Sequence, residues 1–335
     1  MKKTYNLKDV AKLAQVSLGT ASKVLNHIYV KPDLQARVEA AVKELNYTPN
    51  EIARSLKVNS TNTVGIMIPD ISSPVISKVV KGIEDFNRQE GYNGIIYQTA
   101  LEMKIEEQAI ETFVRNKVDG ILYIGNTVGE EIADRLKESR IPVVFIMTNY
   151  EDPAFSSVTI DNVEAAYSAV DYLCRKGHKQ ILMLAGEKED PNAGEPRLRG
   201  YLEALKKHGI EPDPSLIRHG GYRLKRGYED MSRFLLEGKK ISALFAVSDE
   251  VAIGAVKALF EHQIRVPEDV SVFGFDGIEM IHYSEPTISS ISQPFYELGS
   301  EAAKILMCCM KEGKGNVHKV LPFQLVENKS VADYR

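Results

Sequence analysis

The sequence predicts a small helical domain of the helix-turn-helix type and a hinge helix, followed by an α/β core of two doubly wound parallel-sheet lobes. Three observations support this fold class. Residues 1–47 carry three short amphipathic patterns, residues 48–60 hold one further short helical pattern, and from residue 61 short apolar runs alternate with helical stretches. Such alternation is typical of βαβ units and a parallel sheet. We therefore expect three parts, residues 1–47, 48–60 and 61–335.

The composition is that of a globular protein with a substantial core. The chain has 335 residues, of which 44% are hydrophobic and 26% charged, and no apolar run reaches the ~18 residues of a membrane span. The first residues include lysines but no apolar stretch of a secretory signal. An odd number of cysteines, Cys174, Cys308 and Cys309, favours a reducing cytoplasm over a disulfide framework. No Cys/His spacing indicates a metal site, and we expect no cofactor.

Charge is distributed unevenly along the chain. Residues 1–60 contain ten Lys and Arg against five Asp and Glu, a net charge of +5, and the whole chain carries -4, which leaves -9 for the remainder. A basic head on an acidic body is typical of a nucleic-acid-binding module joined to another domain. Chance clustering in a solvated segment is the alternative.

The basic head has the pattern of a three-helix domain. Two short helices separated by a tight turn, with a third closing the core, form the helix-turn-helix plan. Ser17 is a suitable N-cap for the second helix. The apolar positions at helical spacing are Leu7, Val10, Ala11 and Ala14 in the first helix, Ala21, Val24 and Leu25 in the second, and Leu34, Val38, Val42 and Leu45 in the third.

The polar face of the second helix suits contact with DNA. A recognition helix lies in the major groove with its first residues at the base edges. On this face we expect Leu18 to meet a thymine methyl, Lys23 to reach guanine or phosphate, and Gly19 to let the backbone approach. Thr20, Ser22 and Asn26 complete the face. A protein-binding bundle with this face merely solvated is the alternative.

A hinge helix is predicted from Thr48 to Asn59. Thr48, Pro49 and Glu51 form a capping pattern, but about nine residues are too few for a stable isolated helix. We expect it to order against the same helix of a second subunit, with Leu56 as a minor-groove wedge and with Arg54 and Lys57 at phosphates. An ordinary linker helix docked on the body is the alternative. The full predicted DNA-binding set is Leu7, Ser17, Leu18, Gly19, Thr20, Ser22, Lys23, Asn26, Asn50, Arg54, Leu56 and Lys57.

The body divides into two similar α/β lobes. We expect lobe one at about 61–149 and 292–320, and lobe two at about 155–290 and 321–335, with the strand "SVTI" (157–160) in lobe two. Ligands of open parallel sheets bind beyond the carboxyl ends of strands. Carboxylates, hydroxyls, one arginine and nearby rings (Tyr150, Tyr222 and Phe275) follow those ends, as a polyhydroxylated ligand requires. The predicted effector-binding set is Ser72, Ser73, Asp161, Arg197, Ser248, Asp249, Phe275 and Asp276.

Each of these residues also has a purely structural interpretation, because Asp or Ser after a strand usually caps the next helix. Convergence from both lobes favours a site. Nucleophile, P-loop and zinc-protease motifs are absent, and the seven histidines are scattered, with His178 at a helix end where it suits a structural role. We expect no catalytic activity.

The segments together resemble the lactose-repressor/galactose-repressor (LacI/GalR) family of bacterial transcription regulators. The segments are "LKDVAKLAQVSLGTASKVLN", "RVEAAVKELNYTPNEIARSLKVN", "VGIMIPDISSP", "RLRGY", "SDEVAIGAVKAL" and "PEDVSVFGFDG". The resemblance covers essentially the whole chain. It implies a core of the type I periplasmic-binding-protein-like fold and a homodimer that reads a pseudo-palindromic double-stranded operator. It places Arg197 and Asp276 on the family's effector-anchoring positions and Leu56 on its wedge leucine.

Departures from the family pattern bear on the ligand. Lys23 replaces an arginine and loses its bidentate geometry. Ser248 stands where lactose-responsive members have Asn. The chain looks closest to purine-repressor and catabolite-control members, yet Pro191 and Ala193 occupy the loop positions where the purine member holds its base. We therefore expect a sugar or sugar-phosphate effector, with Arg197 and Lys188 available to an anion, and a purine corepressor as the alternative.

The resemblance also implies partners and an allosteric mechanism. The chain ends at Arg335 without leucine heptads, so we expect a dimer rather than a tetramer. Catabolite-control members imply a phosphocarrier protein as co-effector, and no membrane partner is expected. Effector would close or rotate the lobes and so decide whether the hinge helices pair. The rivals are a cytoplasmic sugar-binding module whose head binds protein, and a sugar-processing enzyme.

Overall fold

A computed structural model describes residues 5–25, 28–47, 60–125, 128–148, 150, 152–313 and 315–334. The chain divides into two compact units, Met1–Thr61 and Asn62–Arg335. In the described ranges, no helix has both the length and the apolar character to cross a membrane. The predicted hinge helix over 48–60 lies outside the described residues except for its last position.

The first unit has the three predicted helices, α1 (Leu7–Leu13), α2 (Leu18–Leu25) and α3 (Pro32–Leu45). Asn6 begins α1 with a capping box, because its side chain accepts from the backbone of Asp9 while the Asp9 carboxylate accepts from the Asn6 N–H. The helices share one small core, which consists of Val10, Ala11, Ala14, Ala21, Val24, Val38 and Ala41. Small side chains at three of the first four positions allow α1 and α2 to approach closely.

The second unit alternates strands and helices as predicted. Its strands are β1 (Thr63–Ile68), β2 (Asn93–Gln98), β3 (Gly120–Ile124), β4 (Val143–Ile146), β5 (Ser156–Ile160), β6 (Ile181–Ala185), β7 (Ile217–His219), β8 (Ala243–Ala246), β9 (Ser271–Asp276), β10 (Ser289–Ser292), β11 (His318–Leu321) and β12 (Gln324–Val326). Its helices are α4 (Pro74–Glu90), α5 (Met103–Asn116), α6 (Glu130–Ser139), α7 (Asn162–Arg175), α8 (Gly194–Lys207), α9 (Leu224–Leu236), α10 (Asp249–Glu261) and α11 (Phe295–Glu312). The three-residue strand β7 was not predicted, because it is too short to show a period.

Each lobe is built on one six-stranded sheet. The first sheet has the order β11-β5-β4-β3-β1-β2, and all of its pairs are parallel. The second has the order β12-β10-β9-β8-β6-β7, with only β12 antiparallel to its neighbour. The two orders correspond strand for strand, so the lobes repeat one doubly wound plan. The central strands are buried throughout because helices cover both faces.

One predicted boundary between the lobes is wrong. The strand "SVTI" falls within β5, and β5 lies between β4 and β11 in the first sheet, not in lobe two. The chain therefore crosses into the second lobe after Ile160, where α7 packs against α8, β8 and β10. An apolar run followed by a helix predicts a strand but cannot tell which of two sheets it joins. That choice is made by backbone pairing with strands distant in sequence.

The carboxyl ends of the strands meet along one edge of each sheet. Strand order reverses between β1 and β3 in the first sheet and between β6 and β8 in the second. Such switch points open a crevice between the loops that leave the strands, which is where open α/β sheets bind ligands.

Helices α9 and α10 touch through glycine. A Cβ atom at Gly254 would overlap the Leu224 carbonyl oxygen, and one at Gly227 would overlap the Val251 carbonyl oxygen. These two backbones approach so closely because neither glycine has a side chain.

We expect Gly254→Ala to lower the free energy of unfolding by about 1–3 kcal/mol, because backbone atoms must move to admit the methyl group. Urea denaturation followed by far-ultraviolet circular dichroism measures this, since the chain has no tryptophan. Gly129→Ala is the control, because a Cβ there would meet no atom within 4 Å. Equal stability of the two variants would contradict the close approach.

Candidate functional site

The beginning of α2 presents a polar, exposed surface. Ser17, Leu18, Gly19 and Lys23 are exposed, and the Leu18 side chain keeps 46% of its surface accessible. The Ser17 hydroxyl accepts from the backbone N–H of Thr20 at 3.1 Å, as an N-cap should. A bulky exposed leucine beside a cap and a lysine is the arrangement that a major-groove reader offers to bases and phosphates.

The other predicted DNA-binding residues differ in their placement. Thr20 and Ser22 are half-buried on α2, and Leu7 packs against the small core of the head. Tyr29, which sequence reasoning missed, follows α2 and is 86% exposed. Its position after the helical pattern gave no periodic signal. The predictions for Asn26, Asn50, Arg54, Leu56 and Lys57 lie outside the described residues.

Arg197 forms the polar centre of the second lobe. It is 5% exposed, and its guanidinium group lies 3.7 Å above the centre of the Phe275 ring. Its Nε donates to Asn162 Oδ1 at 2.9 Å, and its Nη1 donates to the Val247 carbonyl at 2.6 Å. One side chain of α8 thereby joins the carboxyl ends of β5, β8 and β9.

Asp276 ends β9 beside this arginine. Its Oδ1 lies 3.8 Å from Arg197 Nη1 and accepts from Gln293 Nε2 at 2.8 Å. Its φ of 120° is rare for a residue with a side chain, a strain of the kind often stored at functional sites. Burial raises the pKa of the Asp276 carboxyl to about 7, against the opposing effect of Arg197. Gln293 was not predicted, because its role follows from the return of β10 beside β9.

Asp249 does not reach the surface. It has no exposed area, its Oδ1 accepts from the Ser290 hydroxyl at 2.6 Å, and its Oδ2 accepts from the Ile278 N–H at 2.8 Å. Burial, with a smaller contribution from the Asp276 charge, raises the pKa of this carboxyl well above its usual range. In this conformation Asp249 ties the start of α10 to β9 and β10 rather than facing the crevice.

Two further predicted residues cap helices, and a third is buried. Ser248 is the N-cap of α10, accepts from Val251 and donates to the Tyr222 carbonyl at 2.7 Å. Asp161 is exposed and caps α7. Phe275 has no exposed surface, and Arg197 covers one face of its ring.

Arg223 connects the two lobes across the crevice. From the second lobe its Nη2 lies 3.3 Å from the Ser72 hydroxyl and 3.7 Å from Asp70 Oδ2, both of the first lobe. Its Nη1 lies 3.2 Å from Glu250 Oε1. The Ser72 hydroxyl donates to Asp70, and this bond lowers the pKa of the Asp70 carboxyl more than any other contact. Ser73 stands half-buried at the start of α4.

A cavity of about 290 Å³ opens between the loops of both lobes. The segments that follow β2 and β3 line it from the first lobe, and the loop that follows β6 lines it from the second lobe. The lining residues are Leu101, Met103, Glu106, Gly129, Ile132, Glu187, Glu189 and Asp190. No predicted effector residue lines this cavity directly. A larger cavity of about 360 Å³, lined by residues such as Ile141 and Pro142 near the amino end of β4, lies away from the carboxyl edges.

Hydrogen bonds connect the interlobe cavity with Arg197. Asp190 accepts from the Tyr222 hydroxyl and, at 2.9 Å, from the Asn192 N–H. The Asn192 carbonyl accepts from Asn162 Nδ2 at 3.0 Å, and the same Asn162 side chain accepts from Arg197. Sequence reasoning missed Asp190, Asn192 and Arg223. Asp190 and Asn192 lie several residues beyond the end of β6, and Arg223 follows the short strand β7, which was not predicted. Tyr150 packs with Phe145 and Phe155 in the first lobe instead.

A helix-turn-helix head joined to a two-lobed α/β core with a polar interlobe crevice defines the class of regulators that bind DNA and a small ligand. Residues 6–50 match "Bacterial regulatory proteins, lacI family", and residues 170–331 match "Periplasmic binding protein-like domain". The HTH-type transcriptional regulator RegA of Clostridium acetobutylicum is 38% identical over 97% of this chain and 98% of its own.

Solved structures agree with this assignment. The lac repressor dimer bound to operator and the anti-inducer ONPF superposes with a TM-score of 0.90 at 26% identity, over 98% of this chain and 100% of that one. A transcriptional regulator CelR–cellobiose complex has a TM-score of 0.76 at 29% identity, over 97% and 99% of the two chains. The chain belongs to the LacI family and is a DNA-binding transcriptional regulator. The predicted family and fold class are confirmed.

The buried carboxyls predict how the stability of the core depends on pH. The pKa values of Asp249 and Asp276 are raised in the folded state, so between about pH 4 and pH 7 the folded chain binds more protons than the unfolded chain. The stability that they contribute is present at low pH and is lost as the pH rises through this window.

We therefore expect Asp276→Asn to flatten the loss of stability between pH 5 and pH 7 by roughly 2 kcal/mol. Scanning calorimetry of the full chain across this range measures the effect. Asp134→Asn, an exposed carboxylate on α6, is the control and should keep the wild-type profile. Identical profiles for wild type and Asp276→Asn would refute the raised pKa.

Proposed function

We propose that this regulator is a homodimer that binds a pseudo-palindromic operator and changes its DNA affinity when a small sugar binds between the lobes. The observation that carries the proposal is the interlobe crevice, where a cavity, the Arg223 bridge and the Arg197 network all lie at the carboxyl ends of the strands. This is the edge at which parallel α/β sheets bind ligands.

The head reads DNA through the first half of α2 in this proposal. Leu18 offers an apolar contact to a thymine methyl, Lys23 a charge to guanine or phosphate, and Gly19 a close approach of the backbone. Ser17 acts through its capping bond and Tyr29 adds an exposed ring beside the helix. The operator complex of the similar lac repressor supports this assignment. The predicted hinge contacts of Asn50, Arg54, Leu56 and Lys57 belong to the same proposal.

The effector binds where the two lobes face each other. Ser72, Ser73 and Asp161 provide hydroxyl and carboxylate groups, while Arg197 and Asp276 provide a buried donor and acceptor pair. The cellobiose complex of the similar regulator CelR supports a sugar as the ligand. A purine is disfavoured because Arg197 covers one face of Phe275, whose ring has no exposed surface for a flat base to stack on.

Signalling follows from a two-state core. Arg223 bonds to both lobes, so any change in their separation breaks or forms its contacts with Asp70 and Ser72. A ligand that prefers one separation shifts the population, and a coupling of ~1–3 kcal/mol changes DNA affinity some 5–150-fold. The protein acts on the bacterial chromosome in the cytoplasm and has no catalytic role in this scheme. A phosphocarrier co-effector stays a prediction of the family resemblance.

We expect Lys23→Ala to weaken binding to a duplex selected from a random pool about tenfold, and to reduce the salt slope of the affinity by about 1 if Lys23 meets a phosphate. Fluorescence anisotropy between 50 and 200 mM salt measures both effects. Over this range a protein with several phosphate contacts typically loses ~10³–10⁵-fold in DNA affinity. Lys240→Ala, an exposed lysine of the core, should bind as wild type does. A head that binds protein instead would give no salt-dependent DNA affinity at all.

We expect Arg197→Lys to keep DNA binding but to lose at least about tenfold of the ligand response, because lysine cannot reproduce the bonds to Asn162 and Val247 together. Operator affinity with and without a sugar that stabilises the wild type is the measurement. Arg199→Lys is the matched control, since Arg199 lies exposed on the same helix. A normal response in Arg197→Lys would remove Arg197 from the effector site.

A further inference from the structure

We infer that the interlobe crevice selects an uncharged polyhydroxylated ligand and excludes its phosphorylated form. This inference rests on the proposed function and specifies its ligand. The inference rests on the charge of the crevice. Three groups of residues determine that charge: the residues that line the cavity, those around Arg197 and those around Arg223.

The cavity between the lobes is lined by carboxylates. Among the described residues of its lining, Glu106, Glu187, Glu189 and Asp190 contribute four carboxyl groups, and none is a lysine or an arginine. Glu106 is 6% exposed, and its Oε1 accepts from the Tyr123 hydroxyl at 2.7 Å. Lys188 is exposed in the same loop, but it stands between Glu187 and Glu189, so the stretch 187–190 keeps a net negative charge.

Arg197 is not available as an anion receptor. The Phe275 ring covers one face of its guanidinium, and two of its N–H groups serve Asn162 and Val247. The Asp276 carboxyl lies 3.8 Å away and offsets the charge of Arg197 to the extent that it is ionised. The donors that remain can serve a hydroxyl group. A phosphate would have to compete with the adjacent carboxylate for the same charge.

Arg223 is engaged in the same way. Asp70 and Glu250 lie 3.7 Å and 3.2 Å from its guanidinium, so two carboxylates face one cation. The crevice is therefore acidic in sum.

This charge distribution distinguishes between the two predicted ligand classes. Carboxylates accept hydrogen bonds from sugar hydroxyls, which favours a neutral sugar. A phosphoryl group brings about -1.5 to -2 charges, and between two lobes it is screened less than at an open surface. Of the two predicted ligands, the sugar fits this crevice and the sugar phosphate does not.

Matched pairs of probes test the inference on the full chain. The pairs are ribose with ribose 5-phosphate and glucose with glucose 6-phosphate, alongside cellobiose, maltose and inorganic phosphate. Thermal shift identifies binding, and isothermal titration gives the dissociation constants. We expect at least one neutral sugar to bind and its phosphorylated partner, where the panel has one, to bind at least about tenfold more weakly, a difference of ~1.4 kcal/mol.

A charge variant tests the cause. In the double variant Glu187→Gln and Glu189→Gln, binding of the phosphorylated probes should strengthen several-fold, while binding of the neutral sugar, which loses two charged acceptors, should not strengthen. The matched control is Glu211→Gln with Glu268→Gln, which removes two exposed carboxylates that precede the amino ends of β7 and β9. The control should leave both kinds of probe unaffected.

The outcomes distinguish a failure of this inference from a failure of the proposed function. A phosphorylated probe that binds as tightly as its neutral partner, or tighter, overturns the charge selection and leaves a sugar-controlled regulator intact. Equal effects of the cavity and control variants overturn the role of the carboxylates. Failure of every neutral and phosphorylated probe to bind would instead remove the sugar effector itself, and this inference with it.

Discussion

The buried guanidinium of Arg197 is the interaction on which the core depends. It lies on α8, yet it contacts the ends of three strands, through Asn162 after β5, the Val247 carbonyl after β8, and Phe275 at the end of β9. A charge with 5% exposure is tolerated only because its bonds and its neighbour Asp276 compensate for lost hydration. Any movement of these loops must therefore preserve or replace those contacts.

The polar groups near this arginine differ in what they stabilise. Asp249, Ser248 and Asp161 hold the starts of helices and strands, which explains why residue type alone made them candidates for ligand binding. Arg223, by contrast, spans the two lobes while remaining half exposed. Exposed ion pairs are weak individually, so this bridge would oppose the proposed change in lobe separation only weakly.

The head and the core differ in the size of their hydrophobic cores and in their charge. The head has a small core of valines and alanines, and Leu18, Gly19 and Lys23 of α2 stay exposed. The core buries two mostly parallel sheets under helices, and four carboxyl groups line the cavity between its lobes. The basic excess of the first sixty residues suits the head, because DNA binding requires cations.

The sequence by itself determined the order of elements, the three-helix head and the family. Helical periods and strand ends can be recognised from a few neighbouring residues. They were enough to place Ser17 before α2, the strand "VGIMIPD", and Arg197 on the helix after β6. Only the tertiary structure decided that β5 joins the first sheet, that Asp249 is buried, and that Asp190 and Arg223 face the crevice. These facts depend on pairing and packing between residues far apart in the chain, and no local pattern records which distant partner a strand or side chain will meet.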